Sequence, residues 1–195
     1  MSLLLVLLAL LLVGLGAYAT FTSTTSQSHS VTTGTVTIAL GATGASTNRL
    51  NVNASGVAPG DTIQRSFDLI NQGSLNLASI TLTTTATASS LLDTDATNGL
   101  QMVIDRCTLA WTEAGTAPAY TYTCSGTTTA VLASRAVIGS ALALSNLTDL
   151  ITGPSGPDHL KLTLTLPSGA GNTFQGLTST LTYSFNATQR KATNK

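Results

Sequence analysis

A chain of 195 residues has room for one ordinary domain with a real core once an export segment is set aside. Only 8% of the residues are charged and the formal net charge is zero. The chain therefore lacks the basic footprint needed to neutralise phosphates, which excludes nucleic acid as a partner. Low charge does not mean disorder here, because 43% of the residues are apolar and most fall in alternating patterns. Thr and Ser fill positions that Lys and Glu hold in cytosolic proteins. A neutral, Thr-faced surface repels its own copies weakly, which favours self-association.

In chain order, Leu3 to Val13 is almost unbroken Leu, Val and Ala, followed by Gly14-Leu15-Gly16-Ala17-Tyr18-Ala19. An apolar run closed by Ala17-x-Ala19 predicts a signal peptide over residues 1–19, cut between Ala19 and Thr20. A retained anchor is the alternative, although the run is short for a span of about 20 residues. The segment 20–33 is polar, uncharged, free of Pro and compatible with a strand, with Phe21 and Val31 its only large apolar residues. It reads either as a loose terminus or as a strand that pairs with another copy, since a neutral strand meets no charge barrier at a sheet edge.

Residues 34–190 predict the folded domain, and 191–195 a short tail. Val36, Ile38 and Leu40 alternate with polar or small residues. So do Ile63, Phe67 and Leu69, where Arg65 interrupts the apolar face. Ile80 and Leu82 lead a Thr- and Ala-rich run to Ala88, and the alternation returns at Leu160, Leu162, Leu164 and Leu166 and again at Leu181, Tyr183 and Phe185. Each run has one apolar and one polar face, the mark of antiparallel strands packed on one side. Pro59-Gly60-Asp61, Asn71-Gln72-Gly73, Asn98-Gly99, Gly153–Pro157 and Pro167-Ser168-Gly169 supply turn chemistry between them. Val131 to Leu144 is the one stretch long enough to suggest a helix, and Ser90 to Ala96 suggests a short helical turn. The expectation is an all-β chain of about eight strands in an antiparallel β-sandwich or jelly roll, with a signal helix before it and short helical insertions.

Candidate sites are sparse. Cys107 and Cys124 predict a disulfide if the chain is exported, worth about 3 kcal/mol for a loop of that size; two reduced buried thiols are the alternative. His29 and His159 are isolated, Glu113 is the lone glutamate, and no H-E-x-x-H motif or G-x-S-x-G elbow occurs. The expectation is no catalytic residue, no cofactor and no metal. Asp93 and Asp95 have the spacing of a calcium loop without its continuation, so a solvated turn is preferred. Asn53, Asn146 and Asn186 open N-x-S/T sequons that would accept sugar in a host that glycosylates exported proteins. Trp111, Tyr120 and Tyr122 form either a sugar-binding platform or, in preference, a small core around the Cys pair.

Several blocks together resemble the TasA and camelysin family. Gly16-Ala17-Tyr18-Ala19-Thr20-Phe21-Thr22-Ser23 followed by Thr33-Gly34-Thr35-Val36-Thr37-Ile38 is similar to its start. Ala58-Pro59-Gly60-Asp61 with Asn71-Gln72-Gly73-Ser74-Leu75 fits its middle. Leu166-Pro167, Gly171–Gly176 and Phe185-Asn186-Ala187-Thr188-Gln189-Arg190 fit its closing strands. The resemblance implies a secreted jelly-roll subunit of biofilm-matrix fibres, released by a signal peptidase. The freed strand from Thr20 to about Thr33, with Phe21 near its tip, would then complete the sheet of the next copy. Its partners would be itself, the signal peptidase and components of the extracellular matrix or cell surface. A monomeric surface or secreted glycan-binding module is the alternative. Camelysin-like proteins are also classed as metallo-endopeptidases, an activity that two isolated His and one Glu do not support.

Overall fold

Alternating apolar and polar positions drive this chain into extended segments. The computed structural model describes residues 35–51, 53, 56–152 and 156–191, so the expected signal helix and the segment 20–33 lie outside the described residues. Ten strands form where about eight are expected: β1 (Ile38–Leu40), β2 (Thr62–Asn71), β3 (Leu77–Ala88), β4 (Gln101–Cys107), β5 (Thr112–Thr116), β6 (Ala119–Thr123), β7 (Thr128–Ala136), β8 (Gly139–Leu144), β9 (Asp158–Thr165) and β10 (Thr180–Gln189). Among the described residues helix is confined to α1 (Leu91–Thr94), α2 (Thr148–Ile151) and a 3-10 turn at Asn172–Phe174.

The strands make an all-β antiparallel sandwich, jelly-roll-like in that successive strands cross between two sheets. One sheet runs β1-β2-β9-β4-β7 and the other β10-β3-β8. The first is zipped through β9, with Phe67 opposite Leu160, Leu162 opposite Ile104, and Leu164 opposite Met102. Leu160, Leu162 and Leu164 turn inward, as their spacing predicts, to meet Ile80, Leu82, Leu142 and Leu144 from the second sheet. Phe67 and Phe185 join the layers with ring centroids 5.4 Å apart. Each fully buried side chain of this size contributes roughly 1.5–3 kcal/mol, so this apolar layer dominates the favourable energy.

Val131 to Leu144 corrects one expectation. It is not a helix but two strands, β7 and β8, broken at Val137 and Ile138. Small residues permit a helix, yet β7 pairs along β4 from Thr128↔Cys107 to Ala136↔Gln101, and Leu142 and Leu144 alternate into the core. Tertiary pairing outweighs a weak local preference. The turn expected near Ser90 does form. Ser90 caps α1, its hydroxyl accepting from the Leu92 amide, while the Asp93 carboxylate reaches back to the Ser90 amide.

At the other end of the sandwich, Gly73 lets the incoming chain lie close. A Cβ at this position would sit 2.4 Å from the Thr35 carbonyl oxygen. The Ser74 amide donates to that oxygen at 3.0 Å, and the Gln72 amide to the Thr37 carbonyl at 2.9 Å. The N-Q-G-S turn thereby fastens the start of the described domain beside the C-terminal end of β2.

Candidate assembly site

The feature with the clearest capacity to engage another chain is one open side of the sandwich. β10 pairs with β3 along its whole length, from Thr180↔Ala88 to Gln189↔Leu77, and no described strand lies on its other side. Its ten residues, TLTYSFNATQ, carry no charge and no proline. Such an edge presents a row of unpaired backbone N–H and C=O groups without the usual protections. On the facing sheet, β1 covers only Leu69–Asn71, and a single bridge at Asn48↔Phe67 continues it.

Between these edges lies a cleft of about 440 Å³. Leu50, Val57, Ile63, Leu164, Phe174, Leu177 and Leu181 supply its apolar wall, with Arg65 and Tyr183 beside them. Ile63, Leu177 and Leu181 are half-buried, so the core is unfinished here. Arg65, the residue that breaks the apolar alternation of β2, is 3% exposed and donates to the Gln64 carbonyl at 2.6 Å. Burial pushes the neighbouring Tyr183 hydroxyl well above its ordinary pKa. The cleft sits at the Thr62 end of β2, while Thr35 enters at the Asn71 end. These ends are nine positions apart in a ten-residue strand, about 30 Å.

The polar residues singled out from the sequence are otherwise engaged. Cys107 and Cys124 form a disulfide with Cα atoms 5.8 Å apart. Trp111 and Tyr122 pack with Cys107 as a second small core, 9% and 8% exposed, rather than as an open platform. The Trp111 indole N–H donates to the His159 carbonyl at 3.1 Å, and the Lys161 ammonium lies 4.6 Å from the ring centre. Glu113 is clamped by Arg49 through bonds of 2.9 and 2.6 Å and by the Tyr122 hydroxyl at 2.8 Å. The Arg49 guanidinium holds the Glu113 carboxyl below its ordinary pKa. Together these contacts fasten the β5–β6 hairpin over the outer face of the larger sheet. Replacing both Cys107 and Cys124 by Ser is expected to cost about 3 kcal/mol and lower the melting temperature while leaving assembly intact. Equal melting of the oxidised and reduced wild type would contradict this.

Asp93 serves the α1 cap, accepting from the Ser89 hydroxyl at 2.6 Å, the Ser90 amide at 2.7 Å and the Ser179 hydroxyl. Asp95 accepts the Thr97 and Asn98 amides at 2.9 Å each. Asp95 is committed to donors of its own turn, whereas Asp93 also reaches Ser179, 86 positions along the chain, and is buried at 7% exposure, so a capped, buried carboxylate stands where a solvated turn is expected. Asn186 is exposed on β10. The Asn146 amide, at φ +58°, donates to the Ala130 carbonyl at 2.8 Å, and Asn53 is exposed beside the cleft. Ala17, Ala19, Thr20, Phe21, His29 and Val31 lie outside the described residues.

The cluster of buried Arg106 and Asp158 with half-exposed Asp149 has no signal in the sequence spacing. Arg106 binds both carboxylates, and Asp158, fully buried, also accepts the Leu150 amide at 2.9 Å. Only the pairing of β4 with β9 brings these residues together.

A comparison with protein families returns a match over residues 1–194 to the model described as Camelysin metallo-endopeptidase. This chain belongs to the TasA and camelysin family. No curated protein matches it. The family's printed name implies a catalytic metal, and the residues in place do not fit one. His159 Nδ1 lies 2.8 Å from Asp68, and the described residues hold no group of three His, Cys, Asp or Glu side chains able to ligate an ion. Zinc needs three protein ligands plus an open position for hydrolysis. Family membership is shown, and among the described residues no three-ligand metal group accompanies it.

Proposed function

We propose that this camelysin-family chain is an exported structural subunit, cut between Ala19 and Thr20, that polymerises into extracellular matrix fibres. Each copy hands its segment Thr20–Thr33 to the open side of the next. The observation that carries this reading is the uncharged edge of β10, on which no described strand lies, beside a half-buried apolar cleft. Strand addition draws affinity from main-chain hydrogen bonds and specificity from alternate side chains entering a cleft. Phe21 and Val31 have the same parity, so a regular strand places both on one face. Fourteen extended residues reach about 46 Å, enough to run the length of β10. Donor entry and acceptor cleft lie at opposite ends of β2, so exchange is head-to-tail and produces an open filament rather than a closed pair. Signal peptidase is the partner that frees the donor, and matrix or cell-surface components are the surroundings it enters.

The test is electron microscopy with size-exclusion chromatography on protein beginning at Thr20, compared with Leu181→Asp. Wild type is expected to form regular filaments. The variant, charged within the cleft, is expected to remain a folded monomer and to shorten wild-type filaments by capping them. Filaments of normal length from Leu181→Asp would exclude this cleft as acceptor. A wild type that stays monomeric at every concentration would favour a binding module, and stoichiometric zinc in the purified protein would favour a peptidase.

A further inference from the structure

The outer face of the smaller sheet is an uncharged surface, and what it does rests on the polymer proposed above. No Asp, Glu, Lys, Arg or His occurs in β3, β8 or β10. On the solvent side of this sheet the register places Thr182 opposite Thr85, Ser184 opposite Thr83, and Asn186 opposite Thr81. These residues alternate with the inward Ile80, Leu82, Tyr183 and Phe185, and no described element covers them. The result is a pleated array of hydroxyl, methyl and carboxamide groups. The outer face of the larger sheet differs: Asp105 and Lys161 pair there at 3.8 Å, next to Asp68 with His159.

We infer that the occupant of the Thr-faced surface is a second copy of this chain, packed face to face through the same array. Every group on it both donates and accepts or offers a methyl, so the surface is complementary to itself. With no charge on the face and a formal net charge of zero, the approach of two copies meets no repulsion. Area sets the strength. Strands of twelve, six and ten residues, about 4.8 Å apart, present roughly 450 Å² per copy. A pair therefore buries roughly 900 Å², short of the roughly 1,200–2,000 Å² of a stable interface. Two isolated copies stay apart. Copies aligned in a polymer act together, and each contact after the first becomes intramolecular, with avidity 10²–10⁴-fold above the single affinity as a rough scale. The face thus converts linear assembly into lateral bundling.

The experiment introduces Thr85→Lys together with Ala143→Lys, both exposed on this face and away from the β10 edge, into protein beginning at Thr20. Wild-type filaments are expected to bundle and to stay bundled in about 0.5 M salt, because screening removes only charge–charge terms. The lysine variant is expected to give single filaments with several-fold lower turbidity and unchanged melting. Bundles that persist with the lysines, or wild-type bundles that dissolve in salt, would overturn the proposal. If wild type makes no filaments, strand exchange fails while the lateral surface is still tested by cross-linking. Under oxidation at millimolar protein, Asn186→Cys is expected to form covalent dimers well above an Ala114→Cys control on the hairpin. Equal yields would overturn it. So would lysine variants that lose binding to insoluble polysaccharide but self-associate as before, which would make a glycan the occupant.

Discussion

Deleting Thr20–Ser30 is expected to leave a folded protein that forms no filaments. Phe67, Leu82, Ile104 and Leu162 lie in the described core with no more than 2% exposure. All four follow the deleted segment in the chain, so the melting temperature should change little. Assembly should fail completely, because the cleft beside β10 then has no strand to receive. Electron microscopy and sedimentation at a series of concentrations measure the outcome. The deleted protein should still cap wild-type filaments, since its own acceptor side is untouched. If the truncated chain makes filaments as long as the wild type, donation by this segment is wrong. The Leu181→Asp result then shows whether the cleft engages a different donor.

The second large effect concerns stability. Arg106→Met should cost about 3–5 kcal/mol, the usual consequence of leaving a buried charge without its partner. Asp158 is fully buried and depends on the Arg106 guanidinium and the Leu150 amide, whereas Asp149 is 46% exposed at its side chain and can turn to water. For a domain of this size the melting temperature should fall by roughly 6–20 °C. Adding Asp158→Asn to Arg106→Met should recover part of the loss, because the neutral amide is cheaper to bury than a lone carboxylate. Denaturant unfolding of the single and double variants checks this. A double variant no more stable than Arg106→Met alone would show that the carboxylate is not what the arginine stabilises.

Several elements could be read directly from residue order. The alternation in Leu160–Leu166 predicts β9 and its inward leucines, because a pleated strand exposes successive side chains to opposite faces. The short helical turn expected from Ser90 to Ala96 forms, and the structure adds its cap, Ser90 with Asp93, both within one helical turn. Val131–Leu144 was ambiguous for a physical reason. Ala, Ser and Gly carry too little side chain to favour either period, and pairing with β4 and β3 decided the matter. The β5–β6 hairpin was also hidden, because Trp111, Tyr120 and Tyr122 obtain their burial from the outer face of β2 and β9 and not from their own alternation.

Residue order by itself determined the all-β class, the disulfide partners, the neutral Thr-rich surface and the family, all of which depend on composition or on neighbours close in sequence. Only the tertiary structure decided that β10 is an open edge and that the cleft beside it lies opposite the entry of the chain. It also decided that Arg106 meets Asp149 and Asp158, and that the uncharged strands share one sheet. These follow from strand order, and strand order is set by pairing between segments far apart in sequence. The energy of that pairing comes from burying both inner faces at once, a sum to which no local run of residues holds the key.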